Sequence, residues 1–166
     1  MSPGGETMST VSDGPGEVLT HFEVPSKPGN ELLALARVAE AVQGSGLTDD
    51  QVERLKTAVA EATMNGIEHG NSNREELPVE VTVVRTREAL IVSVTDQGGG
   101  RDGAEAPGTA PLPDLELKLA GLQPPRGWGL FLIGKMVDEV GSSDEGGRHT
   151  VRLVVHRPGN PERSLP

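Results

Sequence analysis

Glu61-Ala62-Thr63-Met64-Asn65-Gly66-Ile67-Glu68-His69-Gly70 closes an amphipathic stretch, and how it is read decides the fold. Alone, Asn65-Gly66 is a strong hairpin signal. Here the helical spacing of Val52, Leu55, Val59, Ala62 and Ile67 runs straight through it, and Gly70 is the better stop. At the other end Thr48 and Gln51 fit a capping box, with Asp49 and Asp50 at the positive end of the dipole. A helix is therefore predicted from Thr48 to about His69. On another face Glu61, Asn65 and Glu68 recur at i, i+4 and i+7. Such a stripe is most often a solvated face. The functional alternative is a carboxylate and a carboxamide aimed at one ligand. Glutamate can take a proton from a hydroxyl or water, and an amide oxygen is a neutral hard ligand for Mg²⁺ beside phosphates.

Working outward, residues 18–24 read as a strand stopped by Pro25, and Asn30 as the cap of a helix over 31–43 ended by Gly44. The run Leu32-Leu33-Ala34-Leu35-Ala36 predicts that this helix is well buried. Residues 79–86 and 89–95 are Val-rich and read as an antiparallel hairpin around Thr86-Arg87-Glu88. Residues 101–125 are loop-like with one short helix near 114–120. A helix is predicted over 129–139 and a last strand over 149–157, with Val151, Leu153 and Val155 on one face. Strands and helices do not alternate strictly. The order favours an α+β fold, a two-layer α/β sandwich whose mixed sheet is covered on one face by helices. Residues 1–17 and 158–166 are polar and without period, and read as a disordered arm and tail around one domain at 18–157.

Composition removes several classes of function. The chain has 166 residues and no cysteine, which excludes disulfides, thiolate metal sites and thiol catalysis. Its four histidines form no close pair, so a histidine metal site is not expected. With one Trp, two Phe, no Tyr and a net charge of −10, base stacking and phosphate-backbone binding are both disfavoured, so no direct nucleic-acid partner is expected. No apolar run approaches a membrane span and the first residues do not look like a secretory signal. The balance suits a soluble cytoplasmic protein.

Three further signals carry chemistry. Asp96-Gln97-Gly98-Gly99-Gly100 follows the strand bearing Leu90, Val92 and Val94. A carboxylate there can accept from an exocyclic amine, and glycines let a flat base approach, although the same letters also make a common turn. Gly98 to Gly103 also matches G-x-G-x-x-G, but the Pro-containing segment that follows cannot open the helix a dinucleotide fold needs. Arg126-Gly127-Trp128-Gly129-Leu130 opens the next helix, where exposed N–H groups favour an anion. The long irregular segment between these signals suits a lid. Thr150 begins the last strand and offers a hydroxyl to a base edge, or is simply a β-branched strand residue.

In this order and spacing, Glu61 to Gly70, Asp96-x-Gly98-x-Gly100, Gly127-x-Gly129-Leu130 and Thr150 resemble the boxes of the GHKL ATPase superfamily. Within it the chain is most similar to the anti-sigma-factor serine/threonine kinases of bacterial partner switching. The likeness covers about residues 18–157 and extends to Arg37. It implies the Bergerat ATP-binding fold, with ATP and Mg²⁺ as cofactors. Glu61 matches the family's general base, Asn65 the Mg²⁺ ligand, and Asp96 the adenine anchor with Thr150 beside it. Gly98 and Gly100 match the turn on the base side. Gly127, Gly129 and Leu130 match the lid hinge and the start of the phosphate-binding helix, with Arg126 among the lid's cations and Trp128 anchoring it. Gly66 departs from the family's usual alanine, at about 1 kcal/mol of helix cost. The resemblance implies phosphate transfer to a Ser or Thr of an anti-anti-sigma partner with a STAS domain, a sigma factor as second partner, and often a homodimer. The rival reading is a binding module that uses ATP only as a switch. A histidine-kinase catalytic domain would need a preceding helical dimerisation segment, and none is expected from the polar first residues.

Overall fold

The computed structural model describes residues 16–98 and 132–158. The elements are β1 (Glu17–Val24), α1 (Asn30–Ala41), α2 (Asp49–Asn65), a π-helical turn (Gly66–Gly70), β2 (Val79–Arg85), β3 (Ala89–Asp96), β4 (Glu139–Glu145) and β5 (Arg148–His156). They make the expected α+β sandwich, with helices on one face of a five-stranded sheet of order β1-β2-β3-β5-β4. Glu17, expected in the arm, already opens β1. The remainder of that arm, and the tail beyond residue 158, lie outside the described residues.

The sheet is not mixed: every described pairing is antiparallel. For β1 and β2 the direction follows from a crossover made of two helices. Val24 at the end of β1 pairs with Val79 at the start of β2, so the chain leaves and re-enters at the same end of the sheet. β2 and β3 form the predicted hairpin. Thr86 closes it, its N–H donating to the Ala89 carbonyl at 2.8 Å and its Oγ1 accepting from the Ala89 N–H at 3.0 Å.

Helix α2 forms as its sequence dictates. The capping box is complete: Gln51 N–H donates to Thr48 Oγ1 at 3.1 Å and Thr48 N–H to Gln51 Oε1 at 2.9 Å. The side-chain amide of Gln51 also donates to the His156 carbonyl at 2.9 Å, which ties the helix start to the end of β5. Leu55, Val59, Ala62 and Ile67 are buried against Val81, Val83, Leu90, Val92 and Leu153 of the sheet. Each fully buried aliphatic side chain contributes about 1.5–3 kcal/mol.

Helix α1 departs from expectation twice. Its N-cap is Gly29, at φ 102°, and Asn30 is already helical, its side-chain amide donating to the Pro25 carbonyl at 2.9 Å. The helix is also not well buried. Only the face of Ala34, Leu35 and Val38 packs on the core, and Leu32 and Leu33 are 61% and 53% exposed.

β4 is the element the sequence does not announce. Residues 132–136 are helical as expected, but the chain bends at 137–138 and pairs from Glu139 onward. Glu139-Val140-Gly141-Ser142-Ser143-Asp144-Glu145 is an edge strand that is mostly wet, so it shows no apolar alternation and is held by its ladder to β5. Gly146 and Gly147, at φ 60° and 82°, make the two-residue turn to β5.

Candidate functional site

The last turn of α2 carries Glu61 and Asn65 on one stripe, both half-buried. One residue later the chain meets the end of β3. A methyl group on Gly66 would lie 3.4 Å from Val79 Cγ2, 3.5 Å from Asp96 Cβ and 3.7 Å from Asp96 Oδ2. The backbone beside Asn65 therefore rests on Asp96, which is only 3% exposed. Asp96 shares the helix-facing side of β3 with Leu90, Val92 and Val94, because the pleat has period two. The helix end that carries Asn65 thus packs, through Gly66, on the strand end that carries the buried Asp96.

The amide nitrogen of Asn65 is buried and has no hydrogen-bond partner among the described residues. Native interiors rarely leave such a donor unsatisfied, and a bound ligand that offers an acceptor, such as a phosphate oxygen, is one accepted explanation, with the amide oxygen left to face a cation. Among the described residues no cluster of three His, Asp or Glu could hold a metal ion. A single amide ligand suits Mg²⁺, which keeps several waters and takes further oxygens from substrate phosphates. The residues present fit a Mg²⁺-nucleotide.

Gly98 is constrained by the protein itself. At φ 72°, a Cβ there would lie 2.2 Å from the Gly147 carbonyl oxygen. The close approach it permits is to the β4–β5 turn.

The placement of Thr150 corrects the sequence reading. Thr150 pairs with Thr95, their hydroxyls 2.8 Å apart, on the face of the sheet away from Asp96. The residue opposite Asp96 on its own face is His149, 4% exposed, with Nδ1 2.8 Å from Asp144 Oδ1. The signal was available: His149 has the parity of Val151, Leu153 and Val155, whereas Thr150 has that of the opposite face. A second residue missed is Asn71, 1% exposed, between the π-turn and the end of β3. Gly100, Arg126, Gly127, Trp128, Gly129, Leu130 and the expected lid lie outside the described residues. Arg37 is exposed on α1 and stacks over the Phe22 ring at 4.4 Å.

The fold and the placement of the helix end on a buried strand-end Asp are those of an α+β sandwich with an antiparallel sheet under two helices. Residues 24–155 match the histidine kinase-like ATPase domain, and the chain belongs to that family. Within it the chain is similar to anti-sigma factors. It is 30% identical over 142 residues to the anti-sigma F factor of Clostridium beijerinckii, covering 84% of this chain and 93% of that one. It is 29% identical over 141 residues to the anti-sigma F factor of Bacillus subtilis, covering 82% and 90%. Among solved structures, the SiaB–SiaC complex from Pseudomonas aeruginosa superposes with a TM-score of 0.61 at 19% identity, over 84% of this chain and 90% of that one, which supports the fold. The GHKL resemblance and the α+β sandwich it implies are borne out. No helix among the described residues is long and apolar enough to cross a membrane.

Proposed function

We propose that this protein is a Mg²⁺-ATP-dependent serine/threonine kinase of the anti-sigma-factor type. It phosphorylates a Ser or Thr of an anti-anti-sigma partner with a STAS domain, sequesters a sigma factor, and works in the cytoplasm. The observation that supports this reading is the packing of the end of α2, which carries Glu61 and Asn65, through Gly66 onto the buried Asp96 at the end of β3. The names of its relatives support the regulatory role.

In this reading Asp96 accepts a hydrogen bond from the exocyclic amine of adenine and fixes the base. Asn65 holds Mg²⁺, which balances charge on the phosphates when it is bound. Glu61, one helical turn before Asn65, takes the proton of the acceptor hydroxyl. The freed oxygen bonds to the γ-phosphorus as the bond to the departing ADP oxygen breaks. The carboxylate is what separates a kinase from a module that only binds ATP, because a switch has no proton to move.

The test is Glu61→Gln, which keeps length and hydrogen bonding but takes no proton. A general base contributes roughly 10²–10⁴-fold to transfer, so phosphorylation of the STAS partner is expected to fall by that factor. ATP affinity and sigma-factor binding are expected to persist. Transfer at the wild-type rate removes Glu61 from the chemistry. A wild-type protein that binds ATP and phosphorylates no genuine partner is the ATP switch instead.

A further inference from the structure

We infer that Asn71 is a positioning residue that fixes the spacing between the Asn65 end and the Asp96 end of the site. The inference rests on the nucleotide reading above and concerns how the two halves are held together.

Asn71 bonds in both directions. Its backbone N–H donates to the Gly66 carbonyl at 2.8 Å, closing the π-turn immediately after Asn65. Its side-chain Oδ1 accepts from the Gln97 N–H at 2.7 Å, immediately after Asp96. β3 stops pairing with β2 at Thr95, opposite Glu80, so this side chain supplies the partner that the ladder no longer gives Gln97. One residue thus spans from the neighbour of one site residue to the neighbour of the other.

Its orientation is over-determined. Nδ2 donates to Leu77 O at 2.8 Å, Ser26 Oγ at 2.9 Å and Pro78 O at 3.2 Å. Two of those three are carbonyls, which can only accept, and the Gln97 N–H can only donate. The amide therefore has one allowed orientation, and neither a carboxylate nor a hydrocarbon reproduces it. The group is 1% exposed, so water does not substitute for a lost bond.

Ser26 provides the control. It is buried in the same network, donating to Leu77 O at 2.6 Å and accepting from Asn71, but none of its hydrogen bonds goes to Gly66 or Gln97. Ser26→Ala damages the network without cutting the span. Asn71→Ser cuts the span and leaves a hydroxyl for one of the carbonyls. With both variants folded, ADP affinity is expected to drop about tenfold or more in Asn71→Ser and to stay within about twofold in Ser26→Ala. The amide of Gln97 is expected to exchange its hydrogen slowly in the wild type and in Ser26→Ala, and quickly in Asn71→Ser. Equal ADP affinities for the two variants, or slow exchange at Gln97 in Asn71→Ser, would overturn the inference. Should Asn71→Ser not fold, the wild type still decides, because fast exchange at Gln97 in the intact protein is incompatible with the span. A wild-type protein that binds no ADP removes the nucleotide reading, while the exchange measurements still judge the span.

Discussion

Gly66→Ala tests the packing of the site in a direction most substitutions do not, because it is expected to stabilise. The glycine sits at φ −63°, ψ −43°, an ordinary helical conformation, so its conformational freedom is not used. Replacing it removes unfolded-state entropy worth about 0.4–1 kcal/mol. The new methyl meets Val79 Cγ2 at 3.4 Å and Asp96 Cβ at 3.5 Å, which is van der Waals contact without a clash. A few such contacts add roughly 0.1–0.2 kcal/mol each. The net gain is about 1 kcal/mol, which for a domain of this size raises the melting temperature by roughly 2–4 °C. The assay is thermal unfolding followed by circular dichroism, with ADP titration on the same samples. Affinity is expected to hold, because Asp96 Oδ2 lies 3.7 Å from the added carbon, too far to be displaced. A lower melting temperature, or a marked loss of affinity, would show that helix and strand approach more tightly than described. Asp96 would then depend on a bare backbone at residue 66.

Asp96→Asn keeps the shape but exchanges an acceptor oxygen for a donor facing the base amine. ADP affinity is expected to fall by about 1–3 kcal/mol, roughly 5- to 150-fold by calorimetric titration, and an unchanged curve takes Asp96 out of the site. Asn65→Ala should weaken ATP binding more with Mg²⁺ than in EDTA, and equal losses under both conditions refute a ligand role. Gly98→Ala puts a Cβ 2.2 Å from the Gly147 carbonyl oxygen at a positive φ. Left-handed strain and overpacking together should cost roughly 2–5 kcal/mol in denaturant unfolding, and a wild-type midpoint would contradict the described hairpin contact.

Much of the fold was legible because local and global signals agree. Thr48, Gln51 and the Leu55-Val59-Ala62 stripe specify α2 without any tertiary information, and valines at every second position specify β2 and β3. β4 was not legible, since an edge strand needs only backbone pairing and Gly141-Ser142-Ser143-Asp144 advertises nothing else. The burial of α1 was not legible because five apolar residues in succession have no helical period, and only Ala34 and Val38, four apart, are buried. Thr150 offers a strand hydroxyl, whereas the parity of Val151, Leu153 and Val155 places His149 on the face of Asp96. Asn71 was beyond reach: Asn71-Ser72-Asn73-Arg74 reads as a polar loop, and what holds its side chain lies 26 positions away at Gln97 and 45 away at Ser26.

The insertion of β5 between β3 and β4 has a consequence for a chain still being made on the ribosome. Once Asp96 has been synthesised, β1, β2 and β3 can pair and receive the two helices, but the far edge of β3 stays bare. Its partner starts at Arg148, so roughly fifty more residues must be added, which takes about 3–10 seconds at typical rates of synthesis. During that interval Leu90, Val92 and Val94 lie on a strand with an open flank, the kind of surface that holding chaperones protect and that other nascent chains can pair with. The same hairpin delivers the turn against which Gly98 packs and the histidine opposite Asp96. A growing chain is therefore expected to have no competent nucleotide pocket until β5 emerges, however well its first half has folded.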